Sequence, residues 1–177
     1  EGHDLSVSGA CLLDEKRILS WSDYDLDLRI WDLDSGETLA VFGDSEEGIE
    51  GALVLADGCI LIWHDILAVW DNAGEEIQGE FKEHKKTIVG AMELSDGRLL
   101  SWSWGKTLRI WDRQTCECLA VMKGHKEWVR GALELSSGNI LSWSGDGTLR
   151  LWDGKTGASL AIMKGHDPKA TDNYTLN

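Results

Sequence analysis

Apolar and polar residues alternate in short stretches along the chain, most clearly towards its C-terminal end. Between Trp128 and Leu135 the apolar residues Val129, Leu133 and Leu135 share one parity, while Arg130 and Glu134 fall on the other. Alternation with a period of two predicts a β-strand with one buried face. Further β-rich stretches follow at residues 139–144, 148–152 and 159–163, separated by turn clusters. The pattern predicts a four-stranded antiparallel meander of about 41 residues.

The same pattern repeats along the chain. Ten of the 177 residues are Trp, and four of them are spaced by 39, 41 and 41 residues: Trp31, Trp70, Trp111 and Trp152. A second series, which begins at Trp21, is spaced by 42, 39 and 41 residues. Internal repeats of this length are typical of propellers, solenoids and arrays.

The repeat divides the chain into four units and a tail: residues 1–42, 43–81, 82–122, 123–163 and 164–177. A sheet of four short strands cannot bury two apolar faces alone, so neighbouring sheets must stack face to face. Propellers meet this requirement by stacking sheets around an axis. We therefore predict an all-β β-propeller with four four-stranded antiparallel blades per chain.

The fourth unit carries motifs that resemble the WD repeat. Gly124-His125 is followed by the segment Ser142 to Thr148 and then by Trp152-Asp153. The WD repeat has Gly-His and Trp-Asp signatures in a unit of about 40 to 45 residues. The resemblance implies that the fourth unit contains a hydrogen-bonded tetrad with a structural role: His125, Ser144, Asp146 and Trp152.

The second and third units depart from this motif. In the second unit Asp44 replaces the His, His64 stands where the Ser is expected, and the hairpin is shorter. We therefore expect the second unit to be the weakest blade. In the third unit Gly105 replaces the Asp, and three members of the tetrad remain: His84, Ser103 and Trp111.

The first unit has one extra residue in its hairpin. This insertion leaves either Asp25 or a neighbouring Asp as the acid of its tetrad, beside His3, Ser22 and Trp31. The Asp residues of this hairpin also resemble the start of a calcium loop. However, Leu28 stands where such a loop needs Gly, so we interpret the segment as a solvated acidic hairpin.

Four blades raise a question of closure, because rings of the resembled family usually have about seven or eight blades. An open arc of four blades would expose two apolar faces. Head-to-tail pairing of unit 4 against unit 1 in two chains would cover both faces and give an eight-bladed homodimeric ring. The alternative is that the chain is an excised or engineered piece of a longer propeller, without a specific ligand.

Composition excludes several classes of protein. The formal charge is −14, from 17 basic and 31 acidic residues. Such a charge disfavours binding to a nucleic-acid backbone. No apolar stretch approaches the roughly 20 residues of a membrane span, so we expect no membrane insertion. The four Cys are scattered, which favours a reducing compartment, and we expect a cytoplasmic protein.

The sequence offers little for catalysis or metal binding. The His residues occur one per unit in the tetrad position, which favours a structural role over metal ligation. Cys116 and Cys118 lie two residues apart without a second pair, so they make an incomplete zinc site. No nucleophile, phosphate-loop or dinucleotide motif is present. We therefore predict no cofactor, no metal and no enzymatic activity.

The resemblance instead implies a binding surface on one rim of the propeller. In WD-repeat proteins the loops between strands four and one and between strands two and three lie on the same rim and contact partners. Exposed Trp and Arg side chains are typical of binding hot spots, and the local Lys residues favour an acidic peptide. Here the rim positions are Lys85, Lys86, Trp104, Lys106, Lys126, Glu127, Trp128 and Arg130.

The predicted function is therefore that of a non-enzymatic WD-repeat protein-interaction scaffold. The alternative is a lectin-like propeller in which exposed Trp rings stack on sugars. The Trp residues of the Ser-Trp-Ser motifs lie in mid-strand, however, which favours packing between blades.

Overall fold

The computed structural model describes residues 2–22, 27–43 and 48–164. They form sixteen strands in four antiparallel sheets, each with its strands in chain order. The first sheet contains β1 (Gly9–Leu12), β2 (Arg17–Trp21), β3 (Leu28–Asp32) and β4 (Thr38–Phe42). The second contains β5 (Gly51–Val54), β6 (Ile60–Trp63), β7 (Leu67–Trp70) and β8 (Ile77–Phe81).

The remaining two sheets have the same organisation, and the fourth follows the predicted strands closely. The third contains β9 (Ile88–Glu93), β10 (Leu99–Ser103), β11 (Thr107–Trp111) and β12 (Cys118–Lys123). The fourth contains β13 (Val129–Glu134), β14 (Ile140–Ser144), β15 (Thr148–Trp152) and β16 (Ser159–Lys164). The last strands of these two sheets continue one residue past the predicted unit boundaries. The chain is therefore all-β, with four meanders of four strands.

Each pair of consecutive sheets encloses its own apolar core. Leu28 of the first sheet and Ile60 of the second share one core, and Phe81 and Ile88 join the second and third sheets. Met122 and Trp152 belong to the core between the third and fourth sheets. No core joins the first sheet to the fourth among the described residues. The stack is thus an arc with two end faces.

A Gly on each innermost strand faces a Trp on the next strand. Gly90 pairs with Trp102 across the strands, and the other pairs have the same register: Gly9 with Trp21, Gly51 with Trp63 and Gly131 with Trp143. A Cβ at Gly90 would lie 2.4 Å from Cζ2 of the Trp102 ring. The missing side chain lets the indole lie against the neighbouring backbone and reach the core between sheets.

The structure supports packing between sheets as the role of three Trp residues of this second series. The rings of Trp21, Trp63 and Trp102 each pack against a different one of the three cores. Each Trp covers the face that its sheet turns to the following sheet. Trp143 of the fourth sheet has no following sheet in this chain, and its side chain is exposed.

We predict that Gly90→Ala destabilises the fold by about 2 kcal/mol, because the added methyl group overlaps the Trp102 ring. Urea unfolding measures this change. The double-mutant cycle with Trp102→Ala provides the control, since the methyl group then has no ring to displace and its cost should fall to a few tenths of a kcal/mol. An equal cost of Gly90→Ala in both backgrounds would contradict the proposed contact.

Candidate functional site

The fourth sheet contains a complete hydrogen-bonded tetrad. Trp152 Nε1 donates to Ser142 Oγ at 2.8 Å, and that Oγ lies 2.8 Å from His125 Nε2. His125 Nδ1 lies 3.1 Å from Asp146 Oδ2. The ionised Asp146 carboxylate can only accept, so the imidazole proton is on Nδ1 and the Ser142 hydroxyl donates to Nε2. The network thus runs from Trp152 to the Asp146 carboxylate.

The Asp146 carboxylate is held by several donors. The backbone N–H of Lys126 donates to Oδ2 at 2.7 Å, and Thr148 donates both its N–H and its hydroxyl to Oδ1. Burial alone would raise the pKa of Asp146, but the hydrogen bonds from Thr148 and Lys126 outweigh it and hold this pKa well below its usual range. Burial lowers the pKa of His125, despite the opposing effect of Asp146. The pair is therefore a neutral His with an ionised Asp at neutral pH.

The prediction of Ser144 as the tetrad serine was wrong. Ser144 Oγ donates instead to the Glu127 carbonyl at 2.9 Å and accepts a bond from the Asp146 N–H. Both serines lie on the same face of β14, so their spacing alone does not distinguish them. Trp152 pairs with Ile140 in the strand register, and Ser142 is the nearer hydroxyl to that position.

The first and third sheets require the same correction. In the third sheet Trp111 Nε1 and His84 Nε2 both meet Ser101 Oγ, at 2.8 and 2.7 Å, whereas Ser103 Oγ accepts from the Gly105 N–H. In the first sheet the corresponding serine is Ser20 and not the predicted Ser22, at 2.8 Å from both Trp31 Nε1 and His3 Nε2.

The acid of the first sheet is a neighbour of the predicted Asp25. Asp25 lies outside the described residues, while Asp27 Oδ1 lies 2.9 Å from His3 Nδ1. Arg29 also pairs with Asp27, at 3.0 Å. The alternative acid that the longer hairpin allowed is therefore the one that the structure brings to His3.

The second sheet has the Trp of the tetrad but not the hydrogen bonds that the Trp makes in the other sheets. Trp70 is buried, and its Nε1 has no hydrogen-bond partner among the described residues. Since the tetrad serine precedes the mid-strand Trp, Ile62 occupies the serine position, and not His64 as the sequence suggested. Asp44, the predicted His replacement, lies outside the described residues. An unpaired buried N–H costs about 1 to 3 kcal/mol.

The third sheet has the His of the tetrad, His84, but lacks the Asp that would bind it. His84 is 8% exposed, and its Nδ1 has no hydrogen-bond partner in the described ranges. Burial, and then the positive charge of Arg109, lowers the pKa of His84 to about 4. The absence of an Asp at position 105 therefore leaves this buried ring nitrogen without a partner among the described residues.

Several predicted rim residues meet in a cleft of about 290 Å³ between the third and fourth sheets. Trp104, Lys106, Glu127 and Trp128 line it, and we call it the rim cleft. Both Trp side chains are exposed. Lys106 Nζ donates to the Lys126 carbonyl at 2.6 Å and lies 3.5 Å from a Glu127 carboxylate oxygen.

The other predicted rim residues surround this cleft. The Arg130 guanidinium lies 4.8 Å from the centre of the Trp128 ring, which also packs against Gly145. Stacking of this kind holds the Trp128 ring in place. The side chain of Lys86 borders Gly105, and Lys85 and the side chain of Lys126 are exposed. The structure therefore brings aromatic surface and cationic side chains together on one rim.

Comparison with known proteins identifies the repeat. Residues 116–153 match the family model described as WD domain, G-beta repeat. This segment is thus similar to one WD40 repeat. The matched segment runs from the start of β12 to the end of β15, so the sequence repeat begins with the outer strand of one sheet and continues into the next. The resemblance inferred from the Gly-His and Trp-Asp motifs is confirmed.

A solved structure with the same fold is the computationally designed Ika8 protein, with a TM-score of 0.81 and 20% sequence identity. The match covers 94% of this chain and 51% of the designed chain, so this chain spans about half of that protein. No curated protein matches the sequence.

The other candidate groups are the potential metal ligands and the thiols. The described part of the chain has no cluster of three or more potential metal ligands, and it has no helix with the length and apolar character needed to cross a membrane. The four Cys are free thiols, and burial raises the pKa of Cys11, Cys59 and Cys118. Cys116 Sγ packs near Gly79 of the neighbouring sheet, which fits a packing role for this thiol.

We predict that Trp152→Phe costs about 1 kcal/mol more than Trp70→Phe. Both changes remove part of a buried ring, but only Trp152 loses a hydrogen bond, and Ser142 Oγ then keeps only its bond to His125. Urea unfolding of the two variants gives the comparison directly. Equal costs, or a larger cost at Trp70, would show that the hydrogen-bonded network adds nothing to stability.

We also predict that stability falls as the pH falls from 6.5 to 4. The pKa of His84 is about 4 in the folded state and 6.5 in the unfolded state, so the unfolded state binds the extra proton across this window. The contribution of His84 is about 3 kcal/mol, fully present above pH 6.5. Urea unfolding at several pH values should show a smaller loss for Gly105→Asp, because the new carboxylate stabilises protonated His84. The same loss in both proteins would contradict this assignment.

Proposed function

We propose that two copies of this chain close head to tail into an eight-bladed ring that serves as a non-enzymatic protein-interaction scaffold. One observation supports the assembly. Repeat positions whose side chains are buried between consecutive sheets have exposed counterparts on the two end faces of the arc. The WD40 repeat supports the coarser part of the proposal, an interaction scaffold.

The outer face of the fourth sheet repeats the face that the third sheet turns to its neighbour. Met122 is fully buried against the fourth sheet, whereas Met163, at the same place in the repeat, is 42% exposed. Ala120 is buried and its counterpart Ala161 is exposed. Trp143 adds a further exposed ring. This face has the residues of an internal interface without the following sheet.

The outer face of the first sheet would form the other half of the proposed contact between two chains. Val129 of the fourth sheet is fully buried, but its counterpart Val7 is 56% exposed. Trp152 is buried and its counterpart Trp31 is only partly so. A Cβ at Gly36 would meet no atom of the described part of the chain within 4 Å, whereas one at Gly157 would lie 2.9 Å from Ala120 Cβ.

The internal interfaces supply a geometry for this contact. The Phe42 and Trp70 rings lie 5.2 Å apart across the first interface, and the Phe81 and Trp111 rings 5.6 Å apart across the second. Met122 occupies the same position at the third interface, where it shares a core with Trp152. By extension, Met163 of one chain would pack against Trp31 of a second copy, a favourable sulfur–aromatic contact.

The rim cleft is the proposed partner surface of the ring. Trp128 is held by Arg130 and Gly145, so little side-chain freedom is lost when a partner covers it. Exposed Trp and Arg are typical of hot spots. We expect the ring to act in the cytoplasm, which the four free thiols support.

A second candidate is a piece of a longer or engineered propeller that has no specific ligand. The similarity to half of a designed protein supports it. In that case the two end faces would normally contact further blades of a longer chain rather than a second copy.

We predict a mass in solution of twice the 19.6 kDa of one chain, measured by light scattering after size exclusion. Met163→Asp should reduce this to the mass of one chain, because a carboxylate would be buried in the interface. Leu160→Asp is the matched control. Leu160 lies on the same strand and is 51% exposed, but its counterpart Leu119 remains 49% exposed beside a neighbouring sheet. A folded wild-type monomer at all concentrations would overturn the ring.

A further inference from the structure

The hairpin turn of the third sheet has the same backbone contacts as that of the fourth, although Trp104, Gly105 and Lys106 replace Gly145, Asp146 and Gly147. The Gly105 N–H donates to Ser103 Oγ at 3.0 Å, as the Asp146 N–H donates to Ser144 Oγ at 3.2 Å. Lys106 adopts φ 65°, close to the φ 75° of its counterpart Gly147. The backbone is therefore shaped for an acid at position 105, where the carboxylate is missing.

The donors that would surround this carboxylate remain in the sequence. In the fourth sheet the carboxylate binds His125 Nδ1, the Lys126 N–H and both donors of Thr148. The counterparts in the third sheet are His84, Lys85 and Thr107.

His84 lacks the partner that its counterpart in the fourth sheet has. Its Nδ1 is buried and has no partner within the part of the chain that the structure describes, whereas His125 Nδ1 lies 3.1 Å from Asp146 Oδ2. The Ser101 hydroxyl accepts from Trp111 and can also donate to His84 Nε2, which leaves the imidazole proton on Nδ1, the tautomer of His125. An anion at this point would bind that proton and recover the cost of an unpaired buried group.

The local charges favour an anion over a neutral acceptor. The positive charge of Arg109, which also pairs with the Glu83 carboxylate, acts on His84 and is one cause of the low pKa of this His. The exposed side chain of Lys86 lies over position 105, with Cβ and Cγ at 3.7 and 3.9 Å from a Cβ built there. A long exposed side chain can swing aside at little cost, and its ammonium group then adds attraction.

We propose that His84, Lys85 and Thr107 form a carboxylate recess, which an Asp or Glu side chain of a bound protein segment fills in place of the missing tetrad acid. The inference rests on the proposed role of this rim as a partner surface, and it specifies the chemistry of the partner. Exposed Trp104 adjoins Gly105, so the acidic residue of the segment should have an apolar neighbour.

Acetate is the probe for the recess itself, with chloride at equal ionic strength as the control. Nitrogen-15 NMR of the imidazole groups should show a saturable change at His84 and a rise in its pKa of about one unit, as expected for an opposite charge in contact. His125 provides an internal control in the same spectra, because Asp146 already fills its site.

Gly105→Asp should abolish the acetate response, because its own carboxylate occupies the recess, while Gly105→Ala tests whether a side chain without the acid blocks it. A saturable response in wild type that Gly105→Asp removes supports the recess. No response at His84 in wild type overturns it, whatever mass light scattering reports for the ring.

Two capped peptides distinguish a protein segment from a free carboxylate. One contains Glu beside Leu, and the other replaces the Glu with Gln. Tighter binding of the Glu peptide than of either acetate or the Gln peptide, with loss of affinity in Trp104→Ala, supports a protein segment as the occupant. If the Glu peptide binds no more tightly than acetate, that occupant is wrong and the recess takes small carboxylates.

Discussion

The need to cover both faces of each four-stranded sheet governs this structure. Every internal interface meets it in the same way: an apolar side chain on the outer strand of one sheet packs on the third-strand Trp of the next. Phe42 and Trp70 form such a pair, and Met122 packs with Trp152. Four sheets in one chain have three interfaces, so two faces of the same design remain uncovered. The proposed assembly would follow from how each sheet is stabilised, since burial of apolar area drives folding and association alike.

The hydrogen-bonded network is secondary to this packing. Trp70 is buried between its sheets although its N–H has no partner in the described residues, so the ring alone is sufficient to hold the position. The network adds a connection: hydrogen bonds join the Trp of the third strand, through Ser and His, to the turn at the rim. Trp152 and Asp146 are joined in this way in the fourth sheet. The members of the network that a sheet retains therefore determine how its rim turn is held. The Trp packing determines how the sheets stack.

Periodicity predicted the sheets well because the alternation of apolar and polar residues and the turn clusters between strands are both local features of the sequence. The strands expected at residues 139–144 and 148–152 are Ile140–Ser144 and Thr148–Trp152. The choice of Ser142 over Ser144 was not local, because it depends on the pairing of β14 with β15 and on the bulge beside Trp152. The rim cleft was predicted as a set of loop residues. Its Lys106 contacts and the stacking of Arg130 on Trp128 depend on side-chain conformations that spacing does not specify.

The complete tetrad of the fourth sheet also provides a reference for the tetrad residues that are missing from the other sheets. In the second sheet Ile62 replaces the tetrad serine, which removes a polar group from the core at the same time as it removes an acceptor. In the third sheet the loss at Gly105 is uncompensated, because His84 Nδ1 is buried without a partner among the described residues, and Lys106 has a left-handed φ where the fourth sheet has Gly147. Both features cost free energy, of the order of 1 to 3 kcal/mol each. The second sheet shows neither cost at its turn, since Ile62 removes the polar network altogether. The two costs beside exposed Trp104 are therefore the observations on which the proposed carboxylate recess depends.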